Sequence, residues 1–402
     1  MTALRRVLFA AFVLGLGLSI TLSETALALL AALWLWTLRS PAGRAAARWP
    51  LLAPVLAFSA VSVLSALASG HPGPSLAAAK GLLLVAALYV TADFLHDPAA
   101  ADRFLWALSL VVGVAALVGL LQAAVCPGQE ADYGSPAWLY HRCYRARGFF
   151  SIYMTLAGVL NLVLLATVPR LLPGPAFRGW SVPVWLVNLA AFVATQTRGA
   201  WIGFIGGVVA LLPASRRGRW LLLGGLLLLA AGALLAPYEL KHRVRVMADP
   251  SEAGVTERLY MWRSGLSMWR ERPWLGVGPG GVKREYPNYA LPEAAKKRTG
   301  HVHNTPLQIL VERGALGLAA WLWLFGAFYA RAIGLLRRLP RERARERALA
   351  AGSLAAITGF LLAGLSEYNF GDTEVVLVAW TIMALPFVVE ASVLPMPDRP
   401  PR

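Results

Sequence analysis

FLWALSLVVGVAALVGLLQAA, residues 104–124, contains no charged side chain. At 1.5 Å per residue a helix of this length covers about 30 Å, the thickness of a bilayer's hydrocarbon core. In water such a helix would have no polar face. In lipid its backbone satisfies its own hydrogen bonds and its side chains match their surroundings. The stretch therefore reads as a membrane span, and it decides the class of the molecule. The remainder agrees. Of the 402 residues, 57% are hydrophobic and 15% charged, with a mean hydropathy of +0.58. Soluble domains are about half apolar and about a quarter charged.

Working outward by apolar length and flanking charge, twelve spans are expected, at about 7–22, 24–38, 50–69, 76–95, 104–124, 148–169, 181–196, 199–213, 219–236, 306–330, 348–367 and 374–392. The first two form a tight hairpin around Ser23 and Glu24. The first apolar run follows Arg5 and Arg6 and leads straight into the second, unlike a cleavable signal peptide. Basic residues gather in alternate loops: Arg39, Arg44 and Arg48; Arg103; Arg170 and Arg178; Arg216, Arg217 and Arg219; the run from Arg331 to Arg347; and Arg399 and Arg402. The short loops around 70–75 and 367–373 carry no Lys or Arg. The positive-inside rule then makes both termini cytoplasmic. It also accounts for the net charge of +17 without nucleic acid as a partner. The fold class expected is an all-α polytopic membrane protein of about twelve transmembrane helices with one large periplasmic loop domain. Residues 1–236 hold transmembrane helices 1–9, residues 237–305 a periplasmic loop with amphipathic helices, and residues 306–402 helices 10–12 and a cytoplasmic tail.

Three pieces are expected on the outer face. The Cys126–Cys143 loop carries Tyr133, Trp138, Tyr140 and Tyr144, and an oxidising periplasm would favour a disulfide there. The turn Thr195-Gln196-Thr197-Arg198-Gly199-Ala200-Trp201 joins two spans. The third piece is the long segment from about Pro237 to Thr305. Within it Leu259, Trp262, Leu266 and Trp269 recur at helical spacing among arginines, as in a helix lying in the membrane interface. Pro273 ends that helix. The run Gly276-Val277-Gly278-Pro279-Gly280-Gly281 lacks the strand and βαβ context of a phosphate cradle and reads as a flexible turn back to the membrane.

Chemistry concentrates on that face. Arg198 stands at the mouth of a membrane hairpin, where a charge is costly unless paired, snorkelled or bound to ligand. It is either an interfacial anchor or a planar fork matched to a diphosphate. The chain has six histidines, and His301-Val302-His303-Asn304 places two of them where the polar segment meets an apolar helix. A metal pair, interfacial packing and an acid–base or diphosphate role all remain open, although no Cys or third His lies nearby. Glu24, Glu367, Asp372 and Glu374 sit at other turns of the same face. They are ordinary turn polarity, or one of them orients His303.

His303-Asn304, followed by Gly314-Ala315-Leu316-Gly317, resembles the His-Asn…Gly-x-x-Gly signature of bacterial O-antigen ligases. That family belongs to a superfamily with O-unit polymerases and protein O-oligosaccharyltransferases. Pro306-Leu307-Gln308-Ile309-Leu310, Glu312, Thr197-Arg198-Gly199, Arg258-Leu259-Tyr260-Met261-Trp262 and Pro273-Trp274-Leu275-Gly276-Val277-Gly278-Pro279-Gly280 also look like it. The resemblance covers roughly residues 195–320 in motif. It implies a fold like that of polyprenyl-phosphate-dependent membrane glycosyltransferases, in the bacterial inner membrane with a periplasmic site. It implies undecaprenyl-diphosphate-linked O-antigen as donor, the lipid A–core oligosaccharide as acceptor, surrounding membrane lipids as partners, and no metal or other cofactor. By the same resemblance His303, Arg198 and Arg258 are the catalytic residues. Arg198 and Arg258 bind the diphosphate, with His301, Asn304 and Arg263 as further substrate contacts. An O-unit polymerase or protein O-oligosaccharyltransferase would share the donor residues and differ in the acceptor. A transporter fits less well, since charges within the spans are few and broken helix pairs are not evident.

Overall fold

Apolar runs become helices here wherever a polar side chain closes the start and nothing interrupts the ladder. Asp97 accepts from the Ala100 amide at 2.7 Å with Pro98 in the first turn, and Asn304 accepts from Leu307 at 2.9 Å with Pro306 in the first turn. A computed structural model describes residues 3–125, 145–171, 179–212, 220, 224 and 253–393. Its helices are α1 (Ala3–Leu18), α2 (Ile20–Thr37), α3 (Leu52–Leu67), α4 (Pro72–Phe94), α5 (Pro98–Ala124), α6 (Tyr153–Thr167), α7 (Ser181–Ala194) and α8 (Arg198–Ala210). They continue with α9 (Ala253–Glu271), α10 (Gly281–Glu285), α11 (Thr305–Arg338), α12 (Ala344–Ala363) and α13 (Thr373–Val393). A six-residue helix, Pro41–Ala46, lies between α2 and α3.

Among the described residues seven helices are long and apolar enough to cross a membrane: α2, α4, α5, α11, α12, α13, and α6 taken on to Arg170. Three shorter apolar ones, α3, α7 and α8, accompany them. The span expected at 219–236 and the Cys126–Cys143 loop lie outside the described residues. The first hairpin differs from expectation: the break falls at Ser19, whose hydroxyl accepts from Leu22, and Ser23 and Glu24 belong to the first turns of α2. A serine cap stops one helix and starts the next without a loop.

Glycine brings two of the helices unusually close. Gly199, Gly203 and Gly207 of α8 recur every fourth residue, so they form one stripe. A Cβ at Gly203 would overlap the Gly359 carbonyl, one at Gly207 would meet the Ala355 carbonyl at 2.7 Å, and one at Gly199 would overlap the Ser366 hydroxyl. This small-residue seam is the membrane form of tight packing, in which backbones approach because no side chain intervenes. It sets the N-terminus of α8 beside the turn that follows α12.

Basic and acidic residues pair at the other end of the bundle. Arg5 pairs with Asp93, a fully buried Arg170 with Asp102, and Arg331 with Glu390 at 2.8 Å.

Helix α11 is two helices in one. Gly314 has φ 66 and ψ −172, a region essentially closed to other residues. The kink releases carbonyls and amides, and the segment after α9 takes them up. The Val277 and Gly278 amides donate to the Val311 and Glu312 carbonyls at 3.0 and 2.9 Å. In return the Ala315 and Leu316 amides donate to the Pro273 and Trp274 carbonyls at 2.8 and 3.3 Å. Ser65 of α3 donates to both the Leu275 and Glu312 carbonyls. The glycine-rich run is therefore no loose turn. Its glycines let backbone lie against backbone, and buried backbone groups demand partners that the kink supplies.

Candidate functional site

The site is built where the start of α11, the end of α12 and the side of α9 meet. Asn304 fixes the first of these. While its Oδ1 caps α11, its Nδ2 donates to the Leu365 carbonyl at 2.9 Å. Next in the chain, the Thr305 amide donates to the Gly364 carbonyl at 2.6 Å, and its hydroxyl reaches the Glu367 carbonyl at 2.9 Å and Asn369 at 3.0 Å. Cap and turn are thus stitched together. The loop before the cap is held equally firmly. Val302 is fully buried; its amide donates to Gln308 Oε1 at 2.9 Å and its carbonyl accepts from Trp262 Nε1 of α9 at 3.0 Å.

Between these anchors His303 takes φ 51, in the left-handed region that few non-glycine residues enter. Its Nδ1 lies 3.0 Å from Glu367 Oε2, and Arg258 Nη2 lies 2.6 Å from Glu367 Oε1. One carboxylate so bridges an imidazole and a guanidinium from two different elements. All three side chains keep some exposure, with Arg258 the most open at 34% and Glu367 at 16%. An ionised carboxylate only accepts, so at this contact the His303 Nδ1–H donates to Glu367, and the neutral tautomer with that proton has its lone pair on Nε2.

The His301 ring stands edge-on to His303, with centroids 4.3 Å apart, and lies 5.9 Å from Tyr368. Burial pushes its pKa down from 6.5 to about 4, and the neighbouring His303 adds to this against the opposing pull of Glu367. His301 is thus neutral at ordinary pH. Burial, with the nearby Glu312 charge, raises the Tyr368 phenol to about 12.

Arg258, His301, His303 and Asn304 converge on this junction. The α8–α12 seam brings in Arg198, the first residue of α8, whose neighbour Gly199 abuts Ser366. Arg263 is not brought in. Five residues beyond Arg258 on α9 and about 140° further around the helix, it is exposed. Asn304 is spent on the cap and the Leu365 carbonyl, so the structure gives it a scaffolding place. Among the described residues no trio of His, Cys, Asp or Glu is spaced to hold a metal ion.

Two contributors are new beyond the sequence reading. Gln308 holds the loop in front of His303 and, through its Nε2, bonds Glu312 at 2.9 Å. The Gly199, Gly203 and Gly207 stripe delivers Arg198, and its every-fourth-residue spacing is visible in the sequence. Among the four turn carboxylates weighed, Glu367 is the one that meets the histidine, a pairing that depends on the turn after α12 folding back over α11.

No curated protein matches the chain. Residues 183–322 match the protein family described as O-antigen ligase. That stretch takes in α7, α8, α9, the docked glycine run and α11 past its kink, and so contains Arg198, Arg258 and His303. The signature histidine, the Gly314 kink and the arginines all lie inside this stretch, which is similar to the O-antigen ligase family over residues 183–322.

Proposed function

We propose that the chain is the ligase itself. It takes the glycan from an undecaprenyl-diphosphate carrier and joins it to a hydroxyl of the lipid A–core oligosaccharide, on the periplasmic face of the bacterial inner membrane. The observation that carries this reading is the Glu367 carboxylate shared between His303 and Arg258. It leaves a histidine nitrogen free beside cationic side chains, which is what one-step glycosyl transfer from a diphosphate needs. The acceptor oxygen attacks the anomeric carbon as the bond from that carbon to the phosphate oxygen breaks. The hydroxyl proton passes to His303 Nε2, and the negative charge leaving on the diphosphate meets Arg198 and Arg258. One displacement inverts the anomeric configuration. His301, kept neutral, adds no charge of its own and packs against the base. Arg263 is left outside this reading, and Asn304 acts by holding the cap.

The basic residues at the end of the bundle away from the site support the periplasmic placement under the positive-inside rule. The test mixes purified protein with undecaprenyl-diphosphate-linked O-antigen and rough lipopolysaccharide, with a chelator present. Ladders should form on the lipopolysaccharide, and both His303→Ala and Arg198→Ala should abolish them, the former by about 10²–10⁴-fold in rate. Undiminished ladders in both variants would sink the site. Ladders on the carrier lipid alone would make the chain a polymerase.

A further inference from the structure

A cavity of about 250 Å³ lies between α3, α4, α11 and α13, bordered by Tyr368, whose ring lies 5.9 Å from that of His301. It has a polar collar and an apolar depth. Gly280, Gly300, Tyr368 and the Glu312–Arg313 pair form the collar; Val55, Leu84 and Leu324 are among the residues below. The collar is level with the loop end of the bundle, because Ser65 in the last turn of α3 and Gly278 of the docked run both bond the Glu312 carbonyl. From there the walls descend about ten residues along α3 to Val55 and about eleven along α11 to Leu324, roughly 15 Å in each case. That is about half of a 30 Å hydrocarbon core, one leaflet deep.

The collar asks for no charge from a ligand. Arg313 is bonded to Glu312 at 3.0 Å and to Ser62 at 3.0 Å, and its guanidinium lies over the Phe58 ring. The wall on the α4 side is irregular, since residues Ala79–Val85 form a 3-10 turn within the span. Ala78 and Gly81 line the cavity and are exposed as well, so it opens sideways between helices rather than upward only. A Cβ at Gly81 would meet nothing within 4 Å.

We infer that this slot holds the diphosphate-proximal isoprenoid segment of the polyprenyl donor, admitted sideways past Gly81 from the leaflet on the loop side. The inference rests on the glycosyl-transfer reading above and adds to it the site of the donor's lipid. An amphiphile is called for by a polar collar over an apolar depth of one leaflet. A single chain is called for by the volume, which lies below the usual range of about 300–1,000 Å³ for small-molecule pockets and leaves no room for the several acyl chains of a lipid A. The collar residues Gly300 and Tyr368 are the chain neighbours of His301 and Glu367, so a prenyl chain seated here delivers its diphosphate to the histidine side.

The experiment uses the full chain in lipid nanodiscs and a prenyl diphosphate bearing a diazirine in its second isoprene unit. Cross-links should map to Leu82, Leu84, Val85 and Val376, and unlabelled undecaprenyl diphosphate should compete them away. Gly81→Phe fills the mouth and should weaken undecaprenyl-diphosphate binding, read by native mass spectrometry, at least tenfold. Leu83→Phe, at a site 73% exposed on the same turn, should leave it unchanged. The wild-type cross-link map does not depend on either variant folding. Cross-links elsewhere, undiminished binding in a folded Gly81→Phe protein, or competition by lipid A–core instead of the prenyl lipid would each overturn the slot. If the prenyl lipid binds as expected but no glycan reaches lipopolysaccharide, the slot stands and the ligase reading fails.

Discussion

His303 sits in a backbone conformation that costs a non-glycine residue about 1–3 kcal/mol, and three neighbours hold it there. Val302 is pinned on one side, Asn304 caps a helix on the other, and Glu367 takes the ring's Nδ1 proton. The carboxylate's role can be separated from its bulk. Glu367→Gln keeps the volume but can donate to Nδ1, which moves the ring proton to Nε2 and removes the base. We expect kcat to fall by up to about 10⁴-fold, the loss that a reversed imidazole tautomer brings in hydrolytic triads, with KM for the donor little changed. A rise in KM with kcat intact would mean that Glu367 serves only to aim Arg258. Asn304→Ala should remove the cap and lower stability by about 1 kcal/mol, visible as an earlier thermal unfolding transition. At this scale the motifs named residues that the fold sets close together: His303 and Arg258 meet at one carboxylate, and Arg198 opens the helix whose Gly199 abuts the same turn. Arg263 is set apart from Arg258 because five residues turn a side chain about 140° around a helix.

Among the elements, the apolar spans were readable because length and lack of charge suffice to specify a helix in lipid. The kink in α11 was not, because periodicity runs through residues 305–338 without a break and only the partner strand of backbone from 273 to 278 explains it. Gly314→Ala should test that pairing. Its Cβ would overlap the Trp274 carbonyl and its φ is left-handed, so a loss of at least about 1–3 kcal/mol is expected. Gly326→Ala in the same helix, where a Cβ meets nothing within 4 Å, should change the unfolding midpoint little. Equal midpoints for the two variants would deny the kink a structural role. The same lesson applies to the glycine run after α9. Its composition reads as flexibility, while its position against a broken helix makes it a fixed splice.

For the whole molecule, His301 links stability to pH. In the unfolded chain it takes a proton near pH 6.5, and in the folded protein only near pH 4. Between these values the unfolded state binds the proton and the folded state refuses it, so stability falls as pH drops from about 6.5 to about 4 and no further below. Thermal midpoints measured from pH 7 to pH 4.5 should fall less steeply in His301→Gln than in the wild type; parallel slopes would show that His301 is not held neutral. The overall helical class was legible from composition, whereas the meeting of α9, α11 and α12 was not, because it depends on long-range bonds such as Thr305 to Gly364 and Ser65 to Leu275. The splice at Gly314 also says which piece of such a protein can be exchanged between relatives. A graft that swaps residues 253–304 alone would cut the reciprocal bonds joining 273–278 to 311–316 and hand a foreign loop to a native bend. The transplantable cassette runs from α9 through Gly317, and its partners outside, Ser62 and Ser65 of α3 and the turn from Gly364 to Asn369, must travel or be matched.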